Sequence, residues 1–395
     1  MKVNNVIIVN DFNYIQGGAS KVAIDTARLL KEAGLKVYFF SAVNKKDDEI
    51  EGIKYITTNQ QEALKEKNKI KGMLNGIYNF KAKKEFKKLL QNFNKENTII
   101  HVHGWTKALS SSVFDIAFKM NFKIVLTLHD YFTACPNGGY FDYKENKICK
   151  RKPLSWQCIK CNCDSRNYAF KIYRIIRQFV QNKIVKLPTK LQYAIGISDL
   201  SINVLKPTLN PNIKLEKIYN PIEFDKNEEK VDASKNEYYL YVGRISKEKG
   251  VDIFCKAITE LNLKGIAVGD GSEKERLEKE YPNIEFTGWK NKEEVKKYMK
   301  NARALIFPSL WYEGAPLTPL EAMSIGIPCL ISEYCSGKEY IKEGKNGFVF
   351  SNMEDLEEKI LKLSNCKNFN MKMDMYSKNT YIENLFKFYN NMLEE

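Results

Sequence analysis

Short apolar runs of strand length alternate with helix-length segments along the chain, and this alternation limits the fold more than any other feature. The runs fall at 6–9, 35–41, 98–103, 123–129 and 193–198, and again at 238–242, 265–268, 284–286, 304–307, 327–332 and 347–350. Strands that alternate with helices lie parallel in one sheet, with helices on both faces. The chain is therefore predicted to be an α/β protein with doubly wound parallel sheets.

The stretch 206–237 interrupts this alternation. It contains prolines at 207, 211 and 221, many asparagines and charges, and little hydrophobic periodicity. These features are typical of an interdomain boundary, and 395 residues are enough for two domains of ordinary size. We therefore expect one domain over 1–207 and a second over 208–375, followed by a terminal helix that begins near residue 373.

The segment 304–328, ALIFPSLWYEGAPLTPLEAMSIGIP, places two acids close to the start of a helix. The pattern predicts a buried strand that Pro308 stops, a loop that carries Glu313, and a helix with Thr318 as its N-cap. Glu321 follows Thr318 by three residues, so it is either the capping-box partner of that residue or a ligand-binding acid. The carboxyl end of a strand followed by a helix N-terminus is where open α/β sheets bind ligands, phosphates in particular.

The spacing of the two acids carries a family resemblance. Glu313, seven residues and Glu321 resemble the Glu-x7-Glu signature of retaining glycosyltransferases of family 4, which have the GT-B fold. Three further segments resemble that family in the same order along the chain: GGASKVAIDTARLLKEAGLKVYFF from Gly17, LTLHDYFTACPNGG from Leu126 and GRISKEKG from Gly243. The resemblance implies two Rossmann-like domains facing across a cleft: an acceptor-side domain over 1–207, a nucleotide-sugar-binding domain over 208–375, and a helix over 376–395 that crosses back to the first domain.

The loop GRISKEKG offers cations for a diphosphate. Arg244 and Lys249 lie five residues apart after a strand, and the charge that develops on a leaving diphosphate must be stabilised by fixed cations or a metal. Arginine supplies a planar fork for phosphate oxygens and lysine a point charge. By the resemblance, Arg244 and Lys249 are catalytic and Gly243 lies against the donor.

The acids and the backbone after the strand at 304–307 complete the donor side that the resemblance implies. Glu313, also counted as catalytic, would hold the hydroxyls of the donor sugar, and Glu321 would accept hydrogen bonds from the ribose. The backbone N–H groups of Ala315 and Leu317 would assist, whereas Pro316 has no N–H to donate.

The first domain contributes glycines and histidines. Gly17 and Gly18 stand at the entrance of a predicted helix, where the backbone approaches a ligand closely, and the family places such glycines beside the donor diphosphate. All three histidines of the chain stand near predicted strand ends, which favours function over structure. By the resemblance, His129 is catalytic and contacts the donor sugar near its reacting carbon. The acceptor side would include His103, Trp105 and Asp130.

The resemblance implies a retaining glycosyltransferase that moves a hexose-type sugar from a UDP- or GDP-sugar to a hydroxyl of a glycan or lipid-linked oligosaccharide, in bacterial surface polysaccharide synthesis. A nucleotide-sugar epimerase of the GT-B fold is an alternative, and it would turn over a UDP-sugar without an acceptor. No Asp-x-Asp metal site stands near the strands, so catalysis is expected to need no metal or other cofactor. Lys249→Ala is expected to reduce turnover with little change in melting temperature.

The positive charge of the chain lies in its first half. Residues 1–200 hold 34 Lys and Arg against 17 Asp and Glu, whereas the remainder holds 29 against 31. A basic half suits an anionic partner such as the inner face of a membrane, or it is a set of solvated faces. The segment KKEFKKLLQNF is predicted as an amphipathic basic helix that either contacts such a membrane surface or an acceptor lipid, or is a solvated surface helix. Nucleic-acid binding is a further reading of the charge, but no aromatic–basic interleaving supports it.

Membrane helices and disulfides are not expected. No apolar run approaches the roughly 20 residues that a membrane helix needs, so the protein is predicted to be cytoplasmic and at most peripheral at the membrane. Five of the nine cysteines lie between 135 and 163, and Cys158-x2-Cys161 has the spacing of half a zinc site. Cys149 or Cys163 would complete a structural zinc site, and a cluster of free thiols is the alternative.

Overall fold

The computed structural model describes residues 2–225, 228–366, 369 and 373–395. Its strands are β1 (Asn5–Val9), β2 (Lys36–Ser41), β3 (Lys54–Thr57), β4 (Thr98–Val102), β5 (Lys123–Thr127), β6 (Phe141–Asp142), β7 (Lys147–Ile148), β8 (Tyr193–Gly196), β9 (Lys214–Lys217), β10 (Tyr238–Val242), β11 (Lys264–Val268), β12 (Ile284–Gly288), β13 (Ala302–Phe307), β14 (Cys329–Ser332) and β15 (Gly347–Phe350).

Helices separate most of these strands. They are α1 (Gly18–Glu32), α2 (Lys69–Ile77), α3 (Phe80–Leu90), α4 (Ser112–Lys119), α5 (Trp156–Lys160), α6 (Tyr168–Phe179), α7 (Leu187–Lys190), α8 (Asp199–Leu205), α9 (Val251–Glu260), α10 (Lys274–Glu280), α11 (Lys292–Lys300), α12 (Leu317–Ser324), α13 (Met353–Leu361) and α14 (Lys378–Glu394). A π-helical turn, Val180–Val185, continues α6. Within the described ranges, no helix is both long and apolar enough to cross a bilayer.

The chain divides into two compact units. Unit 1 comprises Met1–Gly139, Lys150–Pro221 and Tyr376–Glu395, and unit 2 comprises Tyr140–Cys149 and Ile222–Met375. Unit 1 is therefore built from three separate stretches of sequence, whereas most of unit 2 is continuous.

Unit 1 is built on a seven-stranded parallel sheet in the order β3-β2-β1-β4-β5-β8-β9. Its central strands β1 and β4 are almost wholly buried, as expected where helices cover both faces. The edge strands β3 and β9 were not predicted from the sequence, because both are half-exposed and lack a long apolar run. Strand β9 lies inside the stretch 206–237, which showed no strand pattern.

Helix α14 completes the core of unit 1. Its buried side chains are Tyr381, Leu385, Phe388, Tyr389, Met392 and Leu393. Two buried hydrogen bonds of 2.6 Å fix it: Tyr381 Oη meets Thr26 Oγ1 of α1, and Tyr389 Oη meets His101 Nδ1 of β4. The end of the chain is thus part of the first unit.

Unit 2 contains a six-stranded parallel sheet in the order β12-β11-β10-β13-β14-β15. Apolar side chains of these strands pack against α9 and α13 in one core cluster. The short strands β6 and β7 form a separate antiparallel hairpin. The prediction of an α/β protein with parallel sheets is confirmed.

Helix α3 contains most of the segment KKEFKKLLQNF, and its apolar side faces inward. Ala82, Phe86 and Leu90 are buried, and the ring of Phe86 lies 4.7 Å from that of Phe40 of β2. The apolar side of this amphipathic helix is therefore used by the protein core. The lysine-rich side of α3 is left to solvent, so a contact of KKEFKKLLQNF with a membrane would be made by its lysines, and that contact stays a prediction.

Candidate functional site

Three loops of unit 2 pack backbone against backbone at the carboxyl ends of β10, β11 and β13. The N–H of Ile245 donates to the carbonyl of Asp270 at 2.9 Å, and the N–H of Leu310 donates to the carbonyl of Glu248 at 2.9 Å. Gly250 has a positive φ of 67°, and a Cβ there would lie 2.0 Å from the carbonyl oxygen of Pro308. This close approach requires glycine and brings the loop GRISKEKG against the loop that carries Glu313.

The carboxylate of Glu313 lies at the centre of this arrangement. Its Oε1 pairs with the ammonium of Lys249, accepts a hydrogen bond from the indole N–H of Trp311, and accepts another from Ser309 Oγ at 3.2 Å. Glu313 and Lys249 are 64 residues apart in sequence, but they lie in the loops that follow the adjacent strands β13 and β10. The structure thus brings together two residues that the sequence analysis assigned to one site.

The electrostatics of Glu313 follow from these donors. Burial alone would raise the pKa of Glu313, but the positive charge of Lys249 and the three hydrogen bonds outweigh burial and hold the pKa below its usual value. Glu313 is therefore an anion at neutral pH. The hydrogen bonds that its carboxylate accepts from described residues all reach Oε1, which leaves Oε2 as a free acceptor.

Arg244 has a different environment from Lys249. Its guanidinium is exposed and pairs with Oε1 of the buried Glu248 at 2.7 Å, and Ser246 Oγ donates to the same oxygen at 2.9 Å. Lys249 is held in a half-buried pair, whereas Arg244 is a cation on the surface of the same loop. Glu248, Ser309 and Trp311 were not predicted, because a partner of this kind is set by the folding of the loop and has no sequence pattern of its own.

Helix α12 begins one residue before the predicted N-cap. Its N-cap is Pro316, and no side chain caps it. The predicted N-cap role of Thr318 is wrong, because Pro316 already has the extended conformation that leads into the helix and Thr318 is the second helical residue. The capping-box explanation for Glu321 fails with it. The carboxylate of Glu321 is half-exposed and accepts no hydrogen bond from the described residues, so it is available for a ligand.

The backbone ahead of α12 keeps its donors free. Within the described ranges, the N–H groups of Ala315 and Leu317 have no hydrogen-bond acceptor, as is normal at the start of a helix. Such N–H groups and the helix dipole favour an anion or a hydroxyl oxygen.

A second group of polar residues lies at strand ends in unit 1. His103 follows β4, and His129 and Asp130 follow the neighbouring strand β5. His103 Nδ1 and His129 Nε2 are 2.9 Å apart, and their rings stack with centroids 5.2 Å apart. Burial lowers the pKa of His129 to about 3 and that of His103 well below its usual value, so both imidazoles are neutral. The Nε2 atom of His103 is buried without a partner among the described residues.

His101 differs from the other two histidines. It lies inside β4, is fully buried, and bonds Tyr389 Oη through Nδ1 and Thr127 Oγ1 through Nε2, both at 2.6 Å. His101 is the penultimate residue of β4 and so does stand near a strand end, but its buried partners indicate a structural role and not the functional one that its position favoured.

Asp130 is the titratable group of this cluster with a pKa nearest neutrality. Burial raises its pKa to about 6, against the lowering effects of the Phe132 N–H and of Arg177. Asp11 is a further buried acid, and its carboxylate accepts hydrogen bonds from the N–H groups of Lys107, Ala108 and Leu109 at 2.8 to 2.9 Å. The sequence analysis overlooked Asp11, although its place two residues after β1 marked it as a strand-end residue.

The remaining predicted residues of unit 1 differ in their exposure to solvent. Gly17 and Gly18 are exposed at the N-terminus of α1, and a Cβ at either position would meet nothing within 4 Å. Trp105 is buried, and its indole N–H donates to Gln181 Oε1 at 3.1 Å. The glycines thus leave the backbone at the start of α1 open, whereas Trp105 packs inside the unit.

Two of the cysteines surround a buried lysine. The ammonium of Lys171 is wholly buried, 3.1 Å from Cys163 Sγ and 3.6 Å from Cys158 Sγ, and Asn137 Nδ2 lies 3.2 Å from Cys163 Sγ. The described residues contain no group of three or more His, Cys, Asp or Glu side chains placed to hold a metal ion. Structural zinc at Cys149, Cys158, Cys161 and Cys163 stays a prediction.

Comparison with known proteins shows the fold and finds similarity to glycosyltransferases. The family model described as "Glycosyl transferases group 1" matches residues 223–380, which include Arg244, Lys249, Glu313 and Glu321. The UDP-Gal:alpha-D-GlcNAc-diphosphoundecaprenol alpha-1,3-galactosyltransferase of Escherichia coli is 28% identical over 204 residues, which cover 44% of this chain and 52% of that protein. Across four such curated relatives, the match spans between 37% and 52% of the relative's own length.

Solved structures are similar over the whole chain. The apo form of the lipopolysaccharide outer core galactosyltransferase WaaB has a TM-score of 0.63 at 19% identity, covering 98% of this chain and 99% of that one. Anabaena Alr3699/HepE in complex with UDP and glucose has a TM-score of 0.65 at 15% identity, covering 98% and 100%. The predicted fold class, α/β of the GT-B type, is confirmed.

Proposed function

We propose that the protein is a glycosyltransferase that transfers a hexose-type sugar from a UDP- or GDP-sugar to a hydroxyl of a glycan or lipid-linked oligosaccharide, with retention of anomeric configuration, in the synthesis of a bacterial surface polysaccharide. The observation that carries the proposal is the pairing of Lys249 with Glu313 at the carboxyl ends of adjacent parallel strands. It joins the cationic loop to the Glu-x7-Glu segment, and both lie in the region that matches the transferase family model.

The donor diphosphate would bind where the cations and free N–H groups of unit 2 converge. Lys249 is held in place by Glu313, and Arg244 supplies a bidentate fork from the loop surface. The N-terminus of α12 adds backbone donors. The nucleotide ribose would hydrogen-bond to the free carboxylate of Glu321, and a sugar hydroxyl to Oε2 of Glu313.

Departure of the nucleoside diphosphate places additional negative charge on its oxygen. Lys249 and Arg244 would stabilise that charge as preorganised cations, so the reaction needs no metal. The acceptor oxygen forms a bond to the anomeric carbon on the face that the diphosphate leaves. The hydroxyl proton passes to the departing diphosphate oxygen, which gives retention without a separate base.

The strand-end cluster of unit 1 would serve the acceptor. Asp130, with its pKa of about 6, and the unpartnered Nε2 of His103 offer hydrogen bonds to a hydroxyl. We propose that His129 contacts the donor sugar and that the open backbone of Gly17 and Gly18 approaches the diphosphate. Trp105 would support this acceptor side from inside unit 1.

Ligand-induced stabilisation tests the donor class. UDP, GDP and a set of UDP- and GDP-sugars are added to the protein, and the shift in melting temperature is measured. One nucleotide series is expected to stabilise the protein, because a ligand that binds only the folded state raises its stability. Release of the nucleoside diphosphate is then followed with and without a glycan or lipid-linked acceptor, in buffer containing a chelator. Interconversion of nucleotide sugars without an acceptor would instead support the epimerase.

A double-variant experiment tests the role of Lys249. Lys249→Ala leaves the carboxylate of Glu313 buried without its cation, so we now expect a loss of stability of roughly 1–3 kcal/mol together with a fall in turnover of about 10²-fold or more. Adding Glu313→Gln should recover the stability but not the turnover. Lys345→Ala, at an exposed lysine of unit 2, is the control. Normal turnover in Lys249→Ala would contradict the assignment.

A further inference from the structure

Helix α2 of unit 1 presents its apolar side to solvent. Ile70 is 73% exposed, Met73 45% and Leu74 61%, and together with the half-buried Ile77 they follow the i, i+3, i+4, i+7 spacing of one helix face. The buried residues of α2 are Gly72 and Gly76. A surface helix of a protein surrounded only by water has the opposite arrangement, with its apolar face inward.

The two glycines fix this orientation. A Cβ at Gly72 would lie 2.2 Å from the carbonyl oxygen of Ala63, and a Cβ at Gly76 would lie 1.9 Å from the hydroxyl oxygen of Tyr173. Only glycine allows α2 to approach α6 and the preceding loop this closely. The helix cannot rotate its apolar residues inward without placing a large side chain in that space.

The exposed apolar surface continues beyond α2. Phe80, the first residue of α3, is 74% exposed. A shallow pocket of about 490 Å³ lies between the two helices and is lined by Ile70, Leu74, Ile77, Tyr78 and Phe80, among others. We call this surface the α2 face. A continuous exposed apolar surface of this kind marks a site of interaction.

Lysines surround the α2 face. Residues 67–84 include six lysines and no acidic residue. Lys67, Lys69, Lys71, Lys81 and Lys84 are exposed, and in the part of the chain that the structure describes none of them forms an ion pair. Apolar side chains on one face of a helix with free cations at its border are complementary to a bilayer with anionic headgroups.

We propose that the α2 face docks on the surface of an anionic lipid bilayer. Ile70, Met73, Leu74 and Phe80 insert between the headgroups, and the lysines contact lipid phosphates. Nucleic acid would neutralise the lysines but would give no reason for exposed isoleucine and leucine. The basic charge is thus assigned to a membrane through α2 and the start of α3, not through the apolar side of α3, which is buried. The proposal does not depend on the proposed transferase activity.

Vesicle sedimentation of the full chain tests the proposal. Sucrose-loaded vesicles of phosphatidylcholine, with or without 30% (roughly one lipid in three) phosphatidylglycerol, are mixed with protein at low and high salt. The wild type is expected to sediment with the anionic vesicles at low salt and to be released at high salt. The double variant Ile70→Gln/Leu74→Gln is expected to bind the anionic vesicles at least about tenfold more weakly than the wild type, because its apolar face is lost.

A matched control distinguishes binding through the α2 face from non-specific binding by any exposed apolar side chain. Leu361 of α13 in unit 2 is 69% exposed, and Leu361→Gln should bind vesicles as the wild type does. Because all three substituted side chains are exposed, melting temperatures should stay unchanged.

Four results would overturn the proposal. The first is a wild type that does not bind anionic vesicles. The second is a wild type that binds neutral and anionic vesicles equally well. The third is undiminished binding by the double variant. The fourth is a concentration-dependent dimer, abolished by the double variant, in a protein that does not bind vesicles; it would assign the face to a second copy of the chain.

Discussion

Three imidazoles stand in line in unit 1, and burial keeps them neutral. The ring centroids of His101 and His103 are 4.1 Å apart, and those of His103 and His129 are 5.2 Å apart. A protonated imidazole at any of these positions would place a positive charge in an apolar interior, beside the two neutral imidazoles. The row is therefore compatible with the fold only at pH values that leave its members uncharged.

His101 contributes to the pH dependence of folding, as do His103 and His129, whose pKa values are also lowered by burial. Burial lowers the pKa of His101 from 6.5 to about 3, so the unfolded chain binds a proton between these values and the folded chain does not. Its contribution to stability is complete above pH 6.5 and is lost as the pH falls, by about 2 kcal/mol at pH 5. Asp130 acts in the opposite direction, since its raised pKa makes the folded state the better proton acceptor between about pH 4 and pH 6.

His101→Gln tests this linkage by denaturant unfolding at pH 7 and pH 5. The variant loses stability at both values because the bonds to Tyr389 and Thr127 change. The wild type should nevertheless lose about 2 kcal/mol more than the variant between the two pH values. Equal losses would show that His101 carries no such linkage.

At the residue scale, the sequence was informative where chemistry repeats and uninformative where packing decides. Lys249 and Glu313 were recognisable from their motifs, and the structure pairs them. Their neighbour Trp311 was not, because an indole N–H aimed at a carboxylate has no spacing rule. His101 was misjudged for a similar reason, since its partner Tyr389 is 288 residues away.

At the scale of elements, helix α2 shows how glycine can reverse the expected pattern. Sequence periodicity identifies an apolar stripe but not the direction that it faces. Here the close approach of Gly76 to Tyr173 decides the direction, and Ile70 and Leu74 face outward as a result. Most strands of the two sheets were predictable because they are continuous apolar runs, and the short, half-exposed edge strands β3 and β9 were not.

Gly76→Ala tests the packing of α2. The new methyl group would overlap the hydroxyl of Tyr173, so α2 must move, and we expect a destabilisation of roughly 1–3 kcal/mol despite the better helix propensity of alanine. Asn75→Ala, one residue earlier in the helix, is the control and should not destabilise the protein. Adding Tyr173→Phe removes the overlapping oxygen and should recover part of the loss. Full stability of Gly76→Ala would mean that the glycine is not needed.

At the scale of the whole molecule, unit 1 depends on the end of the chain. Helix α14 buries six large side chains in its core, each worth about 1.5–3 kcal/mol when fully buried. Their sum, of the order of 10 kcal/mol, equals the net stability of a typical domain. The family resemblance implied that this helix crosses back to the first domain, whereas composition and periodicity alone predicted only that the segment is a helix.

A chain truncated after Met375 tests this dependence. Unit 1 should lose its cooperative unfolding transition, and limited proteolysis should cut its peptides while those of unit 2 stay protected. Truncation after Leu393 keeps the buried residues of α14 and should leave both units resistant. A protease-resistant unit 1 without α14 would contradict the expectation.

The three-part construction of unit 1 also sets an order of events on the ribosome. Unit 2 can close its sheet as soon as residue 375 has left the exit tunnel, but unit 1 must wait for residues 376–395. Its sheet is synthesised first, but its core is completed only after unit 2 has been synthesised, and until then the side of the sheet that α14 will cover is open to chaperones.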